Sequence, residues 1–316
     1  VMTIHNLAFH GQFPPQDAPR AGLGTGDLVP EGPWEWGKLN YLKAGLLAAT
    51  RITTVSRGYA REILTPEFGC GLDPVLRARA SALRGFVNGA DLAEWSPATD
   101  PLLPATYHAG DLAGKALCRR ELHAVAGLEE DPGRPLVGMV GRLTEQKGLD
   151  LVVPAVDALV RMGFSLVVLG TGQAEYELPL MAAALRHRGR VAVMCRYSNE
   201  LAHLIEAGAD FFLMPSRFEP CGLNQMYSQL YGTPPVVHAV GGLEDTVTDP
   251  EEAGEATGFK FRAFTRDAME EALRRALRSF RDPPALAALR VAGMRRDFSW
   301  TGPAKEYKDL YQEILT

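Results

Sequence analysis

Glu219 stands between Phe218 and Pro220 and is followed at once by Cys221, Gly222, Leu223 and Asn224. A short apolar run, 211–214, precedes this turn, and Leu223, Met226, Leu230 and Tyr231 recur after it at helical spacing. Strand, acidic turn and helix in that order place a lone carboxylate beside a helix start expected to open on Gly222. Free backbone N–H groups and the positive end of the dipole suit such a start to a phosphate. An acid beside an anion cradle is the pairing that nucleotide-sugar chemistry requires. The competing reading is an ordinary strand-to-helix loop with Glu219 as a solvated cap.

Other groups fall at the same kind of position. Arg142 and Lys147 follow the apolar run 136–140 and lie five apart between Gly141 and Gly148. Across a turn both can converge on a diphosphate, one as a planar fork and one as a point charge; the alternative is two solvated cations. Gly170-Thr171-Gly172 closes the next strand, and a tight turn explains it equally well. Tyr197 follows the strand ending at Met194 and can either stack on a purine or simply pack. His5 and Asn6 sit at the end of the first strand with Gly11 behind them. Asn88 precedes Gly89, where an Asn-Gly turn competes with any binding role. No acidic pair is placed to hold Mg²⁺ against a diphosphate, and HExxH, GxSxG and GxxxxGK[ST] are absent. Phosphate charge is therefore expected to be met by Arg142, Lys147 and the Gly222 helix start, with no metal and no cofactor.

The elements that must position these groups alternate regularly. Strands are predicted at 136–140, 164–169, 191–194, 211–214 and 235–237, and helices at 149–162, 175–187, 199–207, 222–231 and 243–247. The strands are near-continuous apolar runs, as when helices cover both faces of a parallel sheet. Strand–helix units in this order argue for an α/β, doubly wound sheet, whose ligands bind outside the carboxyl ends of the strands. Earlier in the chain, a Pro/Gly-rich loop is predicted over 12–33, an amphipathic helix over 39–49, a strand at 51–55, a helix capped by Ser56 and a strand at 85–89. Residues 91–104, with Trp95-Ser96-Pro97, Asp100-Pro101 and Pro104, lack periodicity and read as a linker. Helices are predicted over 268–280, 284–294 and 303–315, and the last has an apolar face that must dock somewhere.

At 316 residues the chain has room for two domains of roughly 150 residues each. Its 33 basic and 38 acidic residues, net −5, argue against a nucleic-acid surface. Four cysteines without CxxC spacing suit a reducing cytoplasm rather than a disulfide framework or a zinc site. No apolar run approaches the roughly 20 residues of a membrane span. Val1 to Ile4 already reads as strand interior, so the chain is expected to be cut from a longer protein.

The strings IHNLAFHGQFP (4–14), GRLTEQKGLDL (141–151) and PSRFEPCGLNQMYSQLYGTPPVV (215–237) resemble glycogen and starch synthases. LNYLKAGL (39–46), TVSRGYAREI (54–63), VNGAD (87–91), WSP (95–97) and GGLEDTV (241–247) follow in family order, so the resemblance covers nearly the whole chain. It implies two Rossmann-like domains of the glycosyltransferase-B type: a partial acceptor-side domain over 1–90, a linker over 91–104, a nucleotide-sugar domain over 105–297, and a helix over 298–316 crossing back to the first. It implies a retaining transfer of glucose from ADP-glucose to the non-reducing end of an α-1,4-glucan. By position, Glu219 is the carboxylate beside the donor glucose, Arg142 and Lys147 bind the diphosphate, and His5 and Asn88 approach the transferred sugar. Gly222, Leu223 and Asn224 offer backbone N–H groups, Tyr197 stacks on adenine, and Cys221 belongs to the turn without acting as a nucleophile.

Two departures stand out. Tyr227, eight after Glu219, replaces a glutamate that many relatives of the fold place on the ribose, which leaves the ribose partner unassigned. The family's opening strand–turn of KTGGLxDV type is missing, so residues 1–90 are expected to fold incompletely and the chain as written to show no transfer activity. Competing readings are an epimerase of the same fold and an inactive glucan- or nucleotide-binding remnant.

Overall fold

The structure is a computed structural model describing residues 1–24, 26 and 32–316. It divides into two compact units, Val1–Asn88 with Thr301–Thr316, and Gly89–Trp300.

The first unit contains β1 (Met2–Ile4), β2 (Gln12–Phe13), β3 (Trp34–Glu35), β4 (Lys38–Asn40), α1 (Tyr41–Ala48), β5 (Ile52–Thr54), α2 (Arg57–Glu62), α3 (Asp73–Ala78) and β6 (Leu83–Gly85). A parallel sheet runs β1-β5-β6, with Met2 opposite Ile52 and Thr54 opposite Gly85. Side-chain caps start both early helices: Asn40 accepts from the Lys43 amide at 2.9 Å and Ser56 from the Tyr59 amide at 3.0 Å. Ile4, Leu46, Ile52, Tyr59 and Ile63 fill the core. The Tyr59 hydroxyl accepts from the Leu7 amide at 3.0 Å, which pins the chain just beyond His5 and Asn6.

Two expectations need correction here. The strand predicted at 85–89 lies earlier, at Leu83–Gly85. Leu83 packs on the core of this unit, whereas Phe86 meets Tyr307 edge-on at 4.8 Å. The loop predicted over 12–33 is partly ordered: Gln12 and Phe13 pair with β4 in an antiparallel β2-β4-β3 sheet, and Pro15–Ala21 is a 3-10 helix. Its residues 25 and 27–31 lie outside the described part.

The second unit holds α4 (Ala113–Ala126), β7 (Leu136–Val140), α5 (Leu149–Met162), β8 (Ser165–Leu169), α6 (Ala174–Arg186), β9 (Val191–Met194), α7 (Asn199–Gly208), β10 (Phe211–Met214), α8 (Asn224–Leu230), β11 (Pro235–His238), α9 (Gly241–Thr246), β12 (Phe259–Phe261), α10 (Arg266–Phe280) and α11 (Pro283–Met294). Its six-stranded sheet has the order β12-β11-β10-β7-β8-β9, and every pair is parallel. The chain builds one way from β7 through β9 and the other way from β10 through β12. The topological switch point therefore falls between β7 and β10, where a doubly wound sheet opens its ligand crevice. Two apolar layers cover the sheet, one gathering α5 and α10, the other α4 and α7.

Residues 91–104, expected as a linker, group with this second unit: Asp100 is 2% exposed there. The last helix, α12 (Thr301–Leu315), groups with the first unit. It is held there by the Phe86–Tyr307 contact and by ion pairs of Arg57 with Glu306 at 2.6 Å and Arg84 with Glu313 at 2.8 Å.

Candidate active site at the switch point

The loops leaving β7 and β10 touch each other. Gly148 has φ +74°, and a Cβ there would lie 1.9 Å from the Pro215 carbonyl oxygen, so only glycine lets the two backbones meet. The Arg217 amide donates to the Gln146 carbonyl at 2.9 Å. The Arg217 guanidinium pairs with Asp150 at 2.6 Å and lies over the Phe264 ring at 4.3 Å. The acidic turn is thus braced by the glycine-flanked loop before any ligand is present.

Glu219 hangs from that brace and is buried, 6% exposed, rather than solvated as a surface cap would be. Its Oε2 accepts from Lys147 Nζ at 2.5 Å and from Ser216 Oγ at 3.0 Å, and its backbone carbonyl accepts from the Gly242 amide at 3.0 Å. Oε1 has no hydrogen bond among the described residues. A pocket of about 300 Å³ lies here, lined by Lys147, Ser216, Glu219, Gly222, Leu223 and Asn224. Ser216 carried no signal of its own in the sequence, since its role depends on the turn folding back on itself.

The helix expected to open at Gly222 begins two residues later, at Asn224. Gly222 has φ +71°, a left-handed conformation that cannot enter an α-helix. Gln225 holds the intervening loop, donating to the carbonyls of Cys221 and Gly222, both at 3.0 Å. Cys221 is buried and lines neither this pocket nor the adjoining one.

That adjoining pocket, of about 330 Å³, shares Val140, Gly141 and Asn224 with the first. It is lined further by Trp95, Arg142, Thr171, Arg196 and Tyr197. A Cβ on Gly141 would meet nothing within 4 Å, so the shared stretch of backbone borders open space. Tyr197 is 88% exposed and makes no ring contact with another aromatic side chain among the described residues. Trp95 is the opposite case, stacking on Tyr227 at 3.9 Å with 2° between planes and on His203 at 3.8 Å with 17°. His203 Nδ1 in turn lies 2.7 Å from Asp100 Oδ2, which also accepts from the Tyr231 hydroxyl at 2.5 Å. Burial, with a smaller push from Glu94, raises the Tyr227 phenol to about 12.

The structure thus gathers Lys147, Glu219, Gly222, Leu223 and Asn224 around one pocket and Arg142 and Tyr197 around its neighbour. His5, exposed, and Asn88, half-buried, belong to the other unit. Among the described residues no group of three or more His, Cys, Asp or Glu side chains is arranged to hold a metal, and no helix is long and apolar enough to cross a membrane.

Residues 123–287 match the family described as glycosyl transferases group 1. The chain belongs to that family. Residues 1–78 of the chain match the starch synthase catalytic domain. A glycogen synthase of Anaeromyxobacter sp. (strain Fw109-5) is 52% identical over 99% of this chain and 66% of its own length. A second, from Paracidovorax citrulli (strain AAC00-1), is 51% identical over 98% of this chain and 62% of its own length. The catalytic domain of starch synthase IV from Arabidopsis thaliana, solved bound to ADP and acarbose, matches with a TM-score of 0.91 at 32% identity, covering 98% of this chain and 66% of that one. The resemblance carried by the motifs therefore extends across the chain, and the fold is of the glycosyltransferase-B type. The chain spans just under two thirds of the length of these relatives.

Proposed function

We propose that the chain works as a glycogen-synthase-type glucosyltransferase, moving glucose from ADP-glucose to the non-reducing end of an α-1,4-glucan with retained anomeric configuration. The observation that carries this is the ion pair of half-buried Lys147 with buried Glu219 at 2.5 Å, facing a pocket at the switch point. A sugar nucleotide laid along the crevice puts glucose against Glu219, its diphosphate near Gly141, and its nucleoside in the pocket of Tyr197. An ammonium has three donors, so Lys147 can hold Glu219 with one and reach a phosphate oxygen with another.

As the glycosidic bond breaks, positive charge grows on the sugar ring and negative charge on the departing diphosphate. Glu219 answers the first, while Lys147, Arg142 and the amides of 222–224 answer the second. This electrostatic division assigns no step to a metal. His5 and Asn88 keep, within this proposal, the sugar-contacting roles that the family pattern implies. The preference for ADP is supported by the ADP bound to starch synthase IV, and the glucan acceptor by its acarbose. A cytoplasmic location belongs to the same proposal.

The test is transfer of labelled glucose to glycogen by the chain in its complete reading frame, with ADP-glucose and UDP-glucose compared. Labelled polymer formed faster from ADP-glucose supports the assignment. No polymer from either donor overturns it.

A further inference from the structure

Eight residues after Glu219, where the resemblance leads one to expect a ribose-binding glutamate in many relatives of the fold, this chain has Tyr227. Tyr227 lines neither pocket, and its ring lies flat on Trp95. The residue that this stack presents to the second pocket is Trp95, which lines it together with Arg142 and Asn224. Its indole N–H has no hydrogen-bond acceptor among the described residues, though its backbone amide donates to the Asp91 carbonyl at 2.8 Å.

The ring is held more firmly than a surface tryptophan would be. Tyr227 and His203 both stack on it, and His203 is fixed through Asp100, a carboxylate 2% exposed that is also bonded to Tyr231. Stacks of this kind set the plane of the indole, and with it the direction of its one donor. A rigid donor at the wall of a nucleoside-sized pocket has a natural acceptor in the sugar hydroxyls between base and phosphate. Tyr197, which lines the same pocket, is 88% exposed, and its ring offers a face rather than a fixed donor.

We propose that Trp95 is a binding and positioning residue for the nucleoside sugar, its indole N–H donating to a ribose hydroxyl, with Tyr227, His203 and Asp100 holding the ring in place. This rests on the sugar-nucleotide reading of the crevice. It goes beyond that reading in naming the group that recognises ribose and the reason a tyrosine follows eight residues after Glu219. The stacked ring cannot be exchanged for an aliphatic side chain without loss of the wall, but phenylalanine keeps a face and removes only the donor.

Calorimetric titration of the 316-residue chain with ADP, 2′-deoxy-ADP and 3′-deoxy-ADP tests this. Trp95→Phe is expected to weaken ADP about fivefold, the worth of one hydrogen bond, while leaving one of the two deoxy nucleotides unchanged. His203→Ala is expected to weaken ADP with the same deoxy nucleotide again spared, because it acts by loosening Trp95. Equal weakening of all three nucleotides by Trp95→Phe would overturn the hydroxyl assignment, as would no change in any. If the unmodified chain binds none of the three nucleotides, the sugar-nucleotide reading itself fails, a result distinct from the other two.

Discussion

The two adjoining pockets are built by different physics. Around Glu219 the groups hold one another: a lysine, a serine and two loops locked by Gly148 fix a buried carboxylate before any ligand arrives. Around Tyr197 half the wall is rigid, at Trp95, and half is loose, because Tyr197 itself stands free in solvent. Preorganised charge is what lowers a barrier, since no reorganisation is needed when charge develops. A loose aromatic wall instead gives affinity, gained only when a base fills it. The first pocket should therefore govern rate and the second binding.

The sharpest way to break this division is Glu219→Ala in the complete reading frame. The turnover is expected to fall roughly 10³-fold or more, with ADP affinity little changed. An ADP affinity that collapsed along with the rate would put Glu219 in the binding machinery instead. Lys147→Ala is expected to cost roughly a hundredfold in rate, and added Mg²⁺ should not restore it. Because the two side chains act as one pair, the double variant should lose much less than the product of the single losses; multiplicative losses in initial-rate assays would show that they work separately.

Gly148→Ala tests the brace rather than the charges. A Cβ 1.9 Å from the Pro215 carbonyl on a backbone at φ +74° is expected to cost about 3 kcal/mol in a urea melt of the second unit. Gly141→Ala, where a Cβ meets nothing, should cost less in stability despite its own φ of +154°. A larger loss at Gly141 would contradict the view that only one of these glycines joins the loops. The smallest expected effect is at Tyr197: its change to alanine should weaken ADP about tenfold and leave turnover at saturating donor nearly intact. A fall in saturated turnover as large as at Lys147 would erase the distinction between the pockets.

Much of this was legible in the sequence where an element obeys one period. β7, β9, β10 and α5 fall where their apolar runs and glycine boundaries put them. The helix α4 did not show itself because its buried face carries a lysine. Lys115 is 4% exposed, its ammonium spent on the Ala207 carbonyl at 2.8 Å and Thr233 Oγ1 at 2.6 Å, and burial depresses its pKa. β12 is three residues long with a buried, ion-paired Lys260 at its centre, too short for any alternation to register. At the site, loop positions after strands pointed to Glu219, Arg142 and Lys147. Trp95 was visible only as a family motif, since His203 and Tyr227, which give it a plane, lie far along the chain. A stack between distant residues leaves no spacing to read.

The return of α12 has a consequence for synthesis. The first unit, Val1–Asn88, takes its last helix from Thr301–Thr316, while Gly89–Trp300 is continuous. As the chain leaves the ribosome, the second unit can close on its own sheet before the first has received the helix that covers Phe86 and pairs Arg57 and Arg84. For all of that interval the strands of the first unit wait with apolar surface uncovered, exposed to chaperones and to other nascent chains. The order of assembly thus runs against the order of synthesis, and a stall or frameshift ahead of Thr301 would damage Val1–Asn88 more than Gly89–Trp300.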